Sequence, residues 1–76
     1  MANAWEEAKR KNEAQQEYDE LMMDITNRDD PNSRQINTPT LQALRGLYME
    51  ANEVDLKTAD SAVKDALKRN NIKLIP

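Results

Sequence analysis

The chain contains no cysteine and no histidine. Without cysteine it has no disulfide framework, no thiolate nucleophile and no zinc–sulfur centre. Without histidine it lacks the commonest general base and the commonest metal ligand. Carboxylates, lysines and two tyrosines remain, a poor basis for acid–base catalysis, so a non-enzymatic protein with no metal and no cofactor is expected. A lone glycine, Gly46, cannot build a phosphate-cradling loop, which needs several glycines for close backbone approach. No apolar run reaches the roughly 18 residues of a membrane span. The start Met1-Ala2-Asn3-Ala4-Trp5-Glu6-Glu7 turns charged where a secretion signal turns apolar. No membrane association and a cytoplasmic location are therefore expected.

Large apolar residues are also scarce. Phenylalanine is absent, and seven leucines, four isoleucines and two valines serve 76 residues. A domain this short buries only about 60% of the surface its unfolded chain exposes. One small domain is expected, completed by a partner or by copies of itself as a homo-oligomer.

What is present is helical vocabulary. From Asn3 to Asn27 there is no Gly or Pro, and Ala, Glu, Gln, Lys and Leu dominate, which predicts a long helix over 3–27. Asn3 and Glu6 have the spacing of a capping box. The apolar stripe Ala14, Tyr18, Leu21, Met22 and Ile25 occupies only the second half of this helix. The first half offers Trp5 and Ala8, so it either projects into solvent or docks on something. Trp5 either folds back as core or anchors a partner, tryptophan being enriched at interface hot spots. Together, Trp5, Tyr18, Leu21, Met22 and Ile25 are the expected subunit or partner interface.

Turn formers fill 28–37, predicting a loop; its run Asp29-Asp30-Pro31-Asn32-Ser33 lacks the glycine and distal glutamate of a calcium loop and reads as a turn. Thr38-Pro39 then suggests an N-cap and first position for a helix over 38–52. Its interior Gly46 is expected to mark a close packing contact. Thr58 suggests the cap of a third helix over 58–70, ending at Asn70-Asn71, which favour a left-handed cap. The apolar tail 71–76 either closes the seam between helices or docks on a partner. The fold class is all-α: a long N-terminal helix followed by two shorter ones, as a helical hairpin or three-helix bundle.

Charge is divided unevenly. Residues 1–56 hold six basic and twelve acidic side chains, whereas residues 57–76 hold five basic and two acidic. The basic set, Lys57, Lys64, Lys68, Arg69 and Lys73, reads either as cations complementing a helix C-terminus or as a nucleic-acid-binding patch touching phosphates. Lys9-Arg10-Lys11 is a second basic spot, offset by Glu6, Glu7 and Glu13.

The segments Thr38–Asn52 and Thr58–Ile72 look alike, each a threonine, a helix and a closing Asn. The second, above all Ala66-Leu67-Lys68-Arg69-Asn70-Asn71-Ile72, resembles the helix ending in Leu-Lys-Asp-Asn-x-Ile in small terminase subunits of short-tailed bacteriophages. Glu17-Tyr18-Asp19-Glu20-Leu21-Met22-Met23-Asp24-Ile25 is similar to the acidic-apolar first helix of that group. The resemblance implies a ring-forming DNA-recognition subunit that delivers viral duplex DNA to a large packaging ATPase and nuclease and stimulates it. The residues by themselves also allow a small acidic interaction protein that binds a basic host protein through Glu6, Glu7, Glu13, Glu17, Asp19 and Glu20, or a structural assembly component.

Overall fold

The computed structural model describes residues 4–75. The first helix, α1, runs Ala4–Thr26. A short 3-10 turn, Pro31–Ser33, and a two-residue strand, β1 (Gln35–Ile36), precede α2 (Thr38–Asn52). Three residues then lead to α3 (Leu56–Arg69), and a second two-residue strand, β2 (Lys73–Leu74), follows. The predicted all-α class, a long first helix and two shorter ones, is what the chain adopts. The capping box expected at Asn3 lies outside the described residues.

α2 is the central element, with α1 and α3 both packed on it. α1 and α2 run antiparallel: Lys11 pairs with Glu53 at 2.9 Å, and Tyr18 meets Tyr48 edge-on at 5.7 Å. The core gathers Met22 and Ile25 of α1, Leu41 and Leu44 of α2, Val63 and Leu67 of α3, and Ile36 and Ile72 of the flanking segments. Ile25, Leu44 and Val63 are sealed off almost completely, at 0–1% exposure. Beyond Lys11, α1 overruns α2, and every residue from Ala4 to Arg10 is exposed. The molecule is therefore elongated, 46 × 24 × 19 Å, with a radius of gyration of 13.4 Å against about 11 Å for a compact chain of this length.

Both shorter helices start earlier than their threonines suggest. The N-cap of α2 is Asn37, whose side chain accepts the Thr40 amide at 3.1 Å and the Thr40 hydroxyl at 2.9 Å. Thr38 and Pro39 are thus the first two helical residues, where a proline's missing N–H still costs nothing. The N-cap of α3 is Asp55, accepting the Thr58 amide at 2.8 Å, so Thr58 stands at the third position. The likeness between the two segments is real but displaced: an Asx oxygen receives the amide of a threonine three residues on.

α3 closes as the sequence suggests. Asn71 is left-handed, with φ 56°. Its amide donates to Lys68 O at 3.2 Å, and that of Ile72 to Leu67 O at 2.9 Å, the paired bonds of a Schellman end. The chain then pairs with β1 in parallel register, Gln35 with Lys73 and Ile36 with Leu74. Lys73 N donates to Arg34 O at 2.9 Å and Ile75 N to Ile36 O at 2.8 Å. Of the tail, Ile72 fills the core, while Leu74 and Ile75 remain partly open to solvent.

Gly46 does not mark a close contact. It is exposed, and a methyl group added there would meet nothing within 4 Å. Gly46→Ala is therefore expected to stabilise the protein by about 0.5–1 kcal/mol through reduced backbone entropy in the unfolded chain. Thermal denaturation followed by circular dichroism checks this; an unchanged or lower midpoint would mean a neighbour packs there after all.

Candidate functional site

α3 carries most of the predicted basic set. Lys57, Lys64 and Lys68 are separated by seven and four residues, which places them on one stripe of a 3.6-residue helix. All three are exposed, and the buried face of the same helix, Ala59, Val63 and Leu67, is turned away from them. Lys64 pairs with Asp60 at 3.0 Å. Arg69 lies off the stripe and pairs with Asp65 at 2.8 Å. Lys57, Lys68 and Lys73 have no ion pair among the described residues. The arrangement thus unites three of the five predicted cations, leaves Arg69 on a neighbouring face, and puts Lys73 on β2.

Asp60 does more than hold Lys64. Arg45 Nη1 of α2 donates to Asp60 Oδ1 at 2.9 Å, so one carboxylate ties α2 to α3 and steadies the flank from which Lys64 projects. The Lys64 hydrogen bond, and then Arg45, hold the Asp60 carboxyl below the usual carboxylate range. Hydrogen bonds from Thr58 do the same for Asp55. At the other extreme, burial, with lesser effects of Tyr48 and Asp19, pushes the Tyr18 phenol up.

These shifts fix the form of the pH dependence. The two depressed carboxyls stabilise the fold above their unfolded pKa of about 4, and this is lost as pH falls through their lower folded values. The raised Tyr18 favours the folded state fully below about pH 10, and this is lost as pH climbs through its folded value. The thermal midpoint is expected to be flat between these limits and to fall outside them. Asp60→Asn should shallow the acid limb and Tyr18→Phe the alkaline one; limbs of unchanged steepness would show that other groups control them.

The expected interface stripe is largely used within the chain. Met22 and Ile25 are core residues, and Tyr18 and Leu21 are half-buried against that core. They lie on the α1 face that meets α2, which removes Met22 and Ile25 from any surface. Trp5 is different: it is 70% exposed, does not fold back as core, and has the Lys9 ammonium 5.7 Å from its ring centroid.

Three of the acidic residues named from the sequence, Glu13, Glu17 and Glu20, form a row along α1 together with Asp24. Glu13, Glu17, Glu20 and Asp24 follow at spacings of four, three and four, share one stripe, and are all exposed. None forms an ion pair among the described residues. The acidic set read from the sequence also held Asp19, which the helix turns to another face, and did not hold Asp24. Among the described residues no group of acidic side chains is arranged to hold a metal ion, and no helix is long and apolar enough to cross a membrane. No family model, curated protein or solved structure matches this chain.

Proposed function

We propose that the chain is a non-enzymatic, oligomeric DNA-packaging adaptor of the small-terminase kind, which binds viral duplex DNA through the exposed flank of α3 and presents it to a packaging ATPase and nuclease. The observation that supports this is the alignment of Lys57, Lys64 and Lys68 on one exposed stripe. Lysine ammonium groups on such a stripe contact phosphates as point charges, giving salt-sensitive binding with little sequence preference. The body is acidic, with a sequence pI of about 4.8, so a single patch binds weakly. Several patches carried by one oligomer add through effective concentration.

The test is duplex-DNA binding across a salt series for the wild type and for K57A/K64A/K68A. The variant should bind at least about tenfold more weakly at low salt, with the slope of log affinity against log salt reduced by about one per lysine removed. Equal binding by the two proteins would overturn the site.

A second reading, a small acidic interaction protein that binds a basic host protein, is favoured by the exposed carboxylates Glu13, Glu17, Glu20 and Asp24 of α1, which form no ion pair among the described residues, and by the exposed Trp5 at its start. A complex with a host protein that survives in the triple lysine variant, with no affinity for DNA in the wild type, would establish it in place of the first.

A further inference from the structure

The side of α1 turned away from α2 has a heptad order. Trp5, Lys9, Asn12, Gln16, Asp19 and Met23 follow at spacings of four, three, four, three and four, and all six are exposed. That alternation is the seam of a coiled coil, here about 27 Å long. Ala14, Tyr18, Leu21 and Ile25, which are buried or half-buried toward α2, lie on the opposite side of the helix. The seam has a large apolar side chain at each end, Trp5 at 70% and Met23 at 59% exposure, and polar ones between. Laid antiparallel against a second copy, it is complementary in every layer: Trp5 comes opposite Met23, Lys9 opposite Asp19, and Asn12 opposite Gln16. Laid parallel, Lys9 would face Lys9 and Asp19 would face Asp19, so charge selects the antiparallel arrangement.

We propose that two copies of the chain pair through this face of α1 as an antiparallel, two-fold coiled coil, with Trp5 of each copy seated against Met23 of the other. A thioether beside an indole is a favourable sulfur–aromatic contact. Asp19 accepts a hydrogen bond from Gln15 at 2.9 Å, and its carboxylate has further acceptor sites for Lys9 of the second copy. The Asn12 and Gln16 amides both donate and accept, so the central layers satisfy each other. Polar layers fix the register of a coiled coil and weaken it. Along one edge Glu13 meets Glu13, and Glu6 meets Glu20 of the other copy, so the dimer is a weak one that forms at high protein concentration. The same patch serves both copies, and the contact closes at two. α1 and α3 both pack on α2, so Lys57, Lys64 and Lys68 take no part and the dimer carries two lysine stripes. The pairing supplies an oligomer for the adaptor reading and stands without it.

The experiment is sedimentation equilibrium on the full chain at about 0.15 M salt, over about 10–500 μM protein, a range suited to a small polar interface. The emission of Trp5, the sole tryptophan of the chain, is read in parallel. The wild type should pass from one chain to two as concentration rises, its emission moving to the blue as Trp5 leaves water; a single chain throughout would overturn the pairing. Asp19→Lys and Lys9→Asp each place like charges across the seam and should raise the dissociation constant at least about tenfold. Their equimolar mixture should associate again as a mixed dimer, because opposite charges then face each other in both layers. Both positions are exposed, and circular dichroism confirms that the variants remain helical. Variants that associate like the wild type, or a mixture that stays as single chains, would overturn the antiparallel register. K57A/K64A/K68A should associate like the wild type; its dissociation would place the contact on α3 and overturn the seam. A dimer without affinity for DNA would remove the adaptor reading and leave the pairing standing. A single chain that binds DNA would remove the pairing and keep the lysine site.

Discussion

Leu44→Ala is expected to remove most of the stability of this protein. Leu44 sits in the middle of α2 with no exposed surface, in a core that draws on all three helices. Cutting such a leucine to alanine costs about 2–5 kcal/mol, from lost burial and from the cavity left behind. A domain of this length has a total of about 4–11 kcal/mol, so the variant should be partly unfolded at room temperature or melt at least about 10 °C lower. Leu44→Met, which nearly conserves volume, should cost under about 1.5 kcal/mol. Trp5→Ala, at a 70% exposed position, should stay within about 1 kcal/mol of the wild type, the worth of its contact with Lys9. Urea titrations of the three variants check this ordering; a Trp5 variant as damaged as the Leu44 one would place the tryptophan inside the folded unit.

Removal of residues 72–76 is expected to have the next largest effect. The deletion takes away Ile72, exposes Ile36 and Leu67 beside it, and unpairs the amide and carbonyl groups of the β1–β2 clip. Losing one buried isoleucine costs about 2–5 kcal/mol by itself. The tail divides further. Ile72→Ser should reproduce most of the loss, whereas Leu74→Ser, at a 45% exposed position, should change stability by about 0.5 kcal/mol or less. The melting temperatures of the three variants decide between a tail that closes the core and one that serves only as a docking peptide. An unchanged midpoint on deletion would establish the latter.

The helices were legible because their signals are local. The Gly- and Pro-free run of α1, the spacings of three, three and one along Leu41, Leu44, Leu47 and Tyr48, and the Asn70-Asn71 ending all act over one or two turns, and each boundary falls within two residues of its expected place. Cap identity was less legible, because Asn37 and Thr38, like Asp55 and Thr58, are competing cap formers, and only the backbone decides which oxygen faces the free amides. The β1–β2 clip has no local signal: it joins two-residue strands whose partners are 38 positions apart. Gly46 was misread because a glycine in a helix is equally a close contact or a tolerated cost, and the neighbours that distinguish these come from elsewhere in the chain. For the candidate site, the lysine stripe followed from spacing alone. That Asp60 and Asp65 each hold a cation, and that Met22 and Ile25 face α2, needed the packing of α3 and α1 on α2.

The clip also orders the folding reaction in time. Contacts within α2 and α3, and between them across their three-residue connection, close short loops and form early, since short loops lose little entropy on closing. The parallel pairing of residues 35–36 with 73–74 comes only after both helices have brought those segments together. The clip is held by few backbone bonds, so the Lys73 and Ile75 amides are expected to exchange with solvent deuterium sooner than those of the helix interiors.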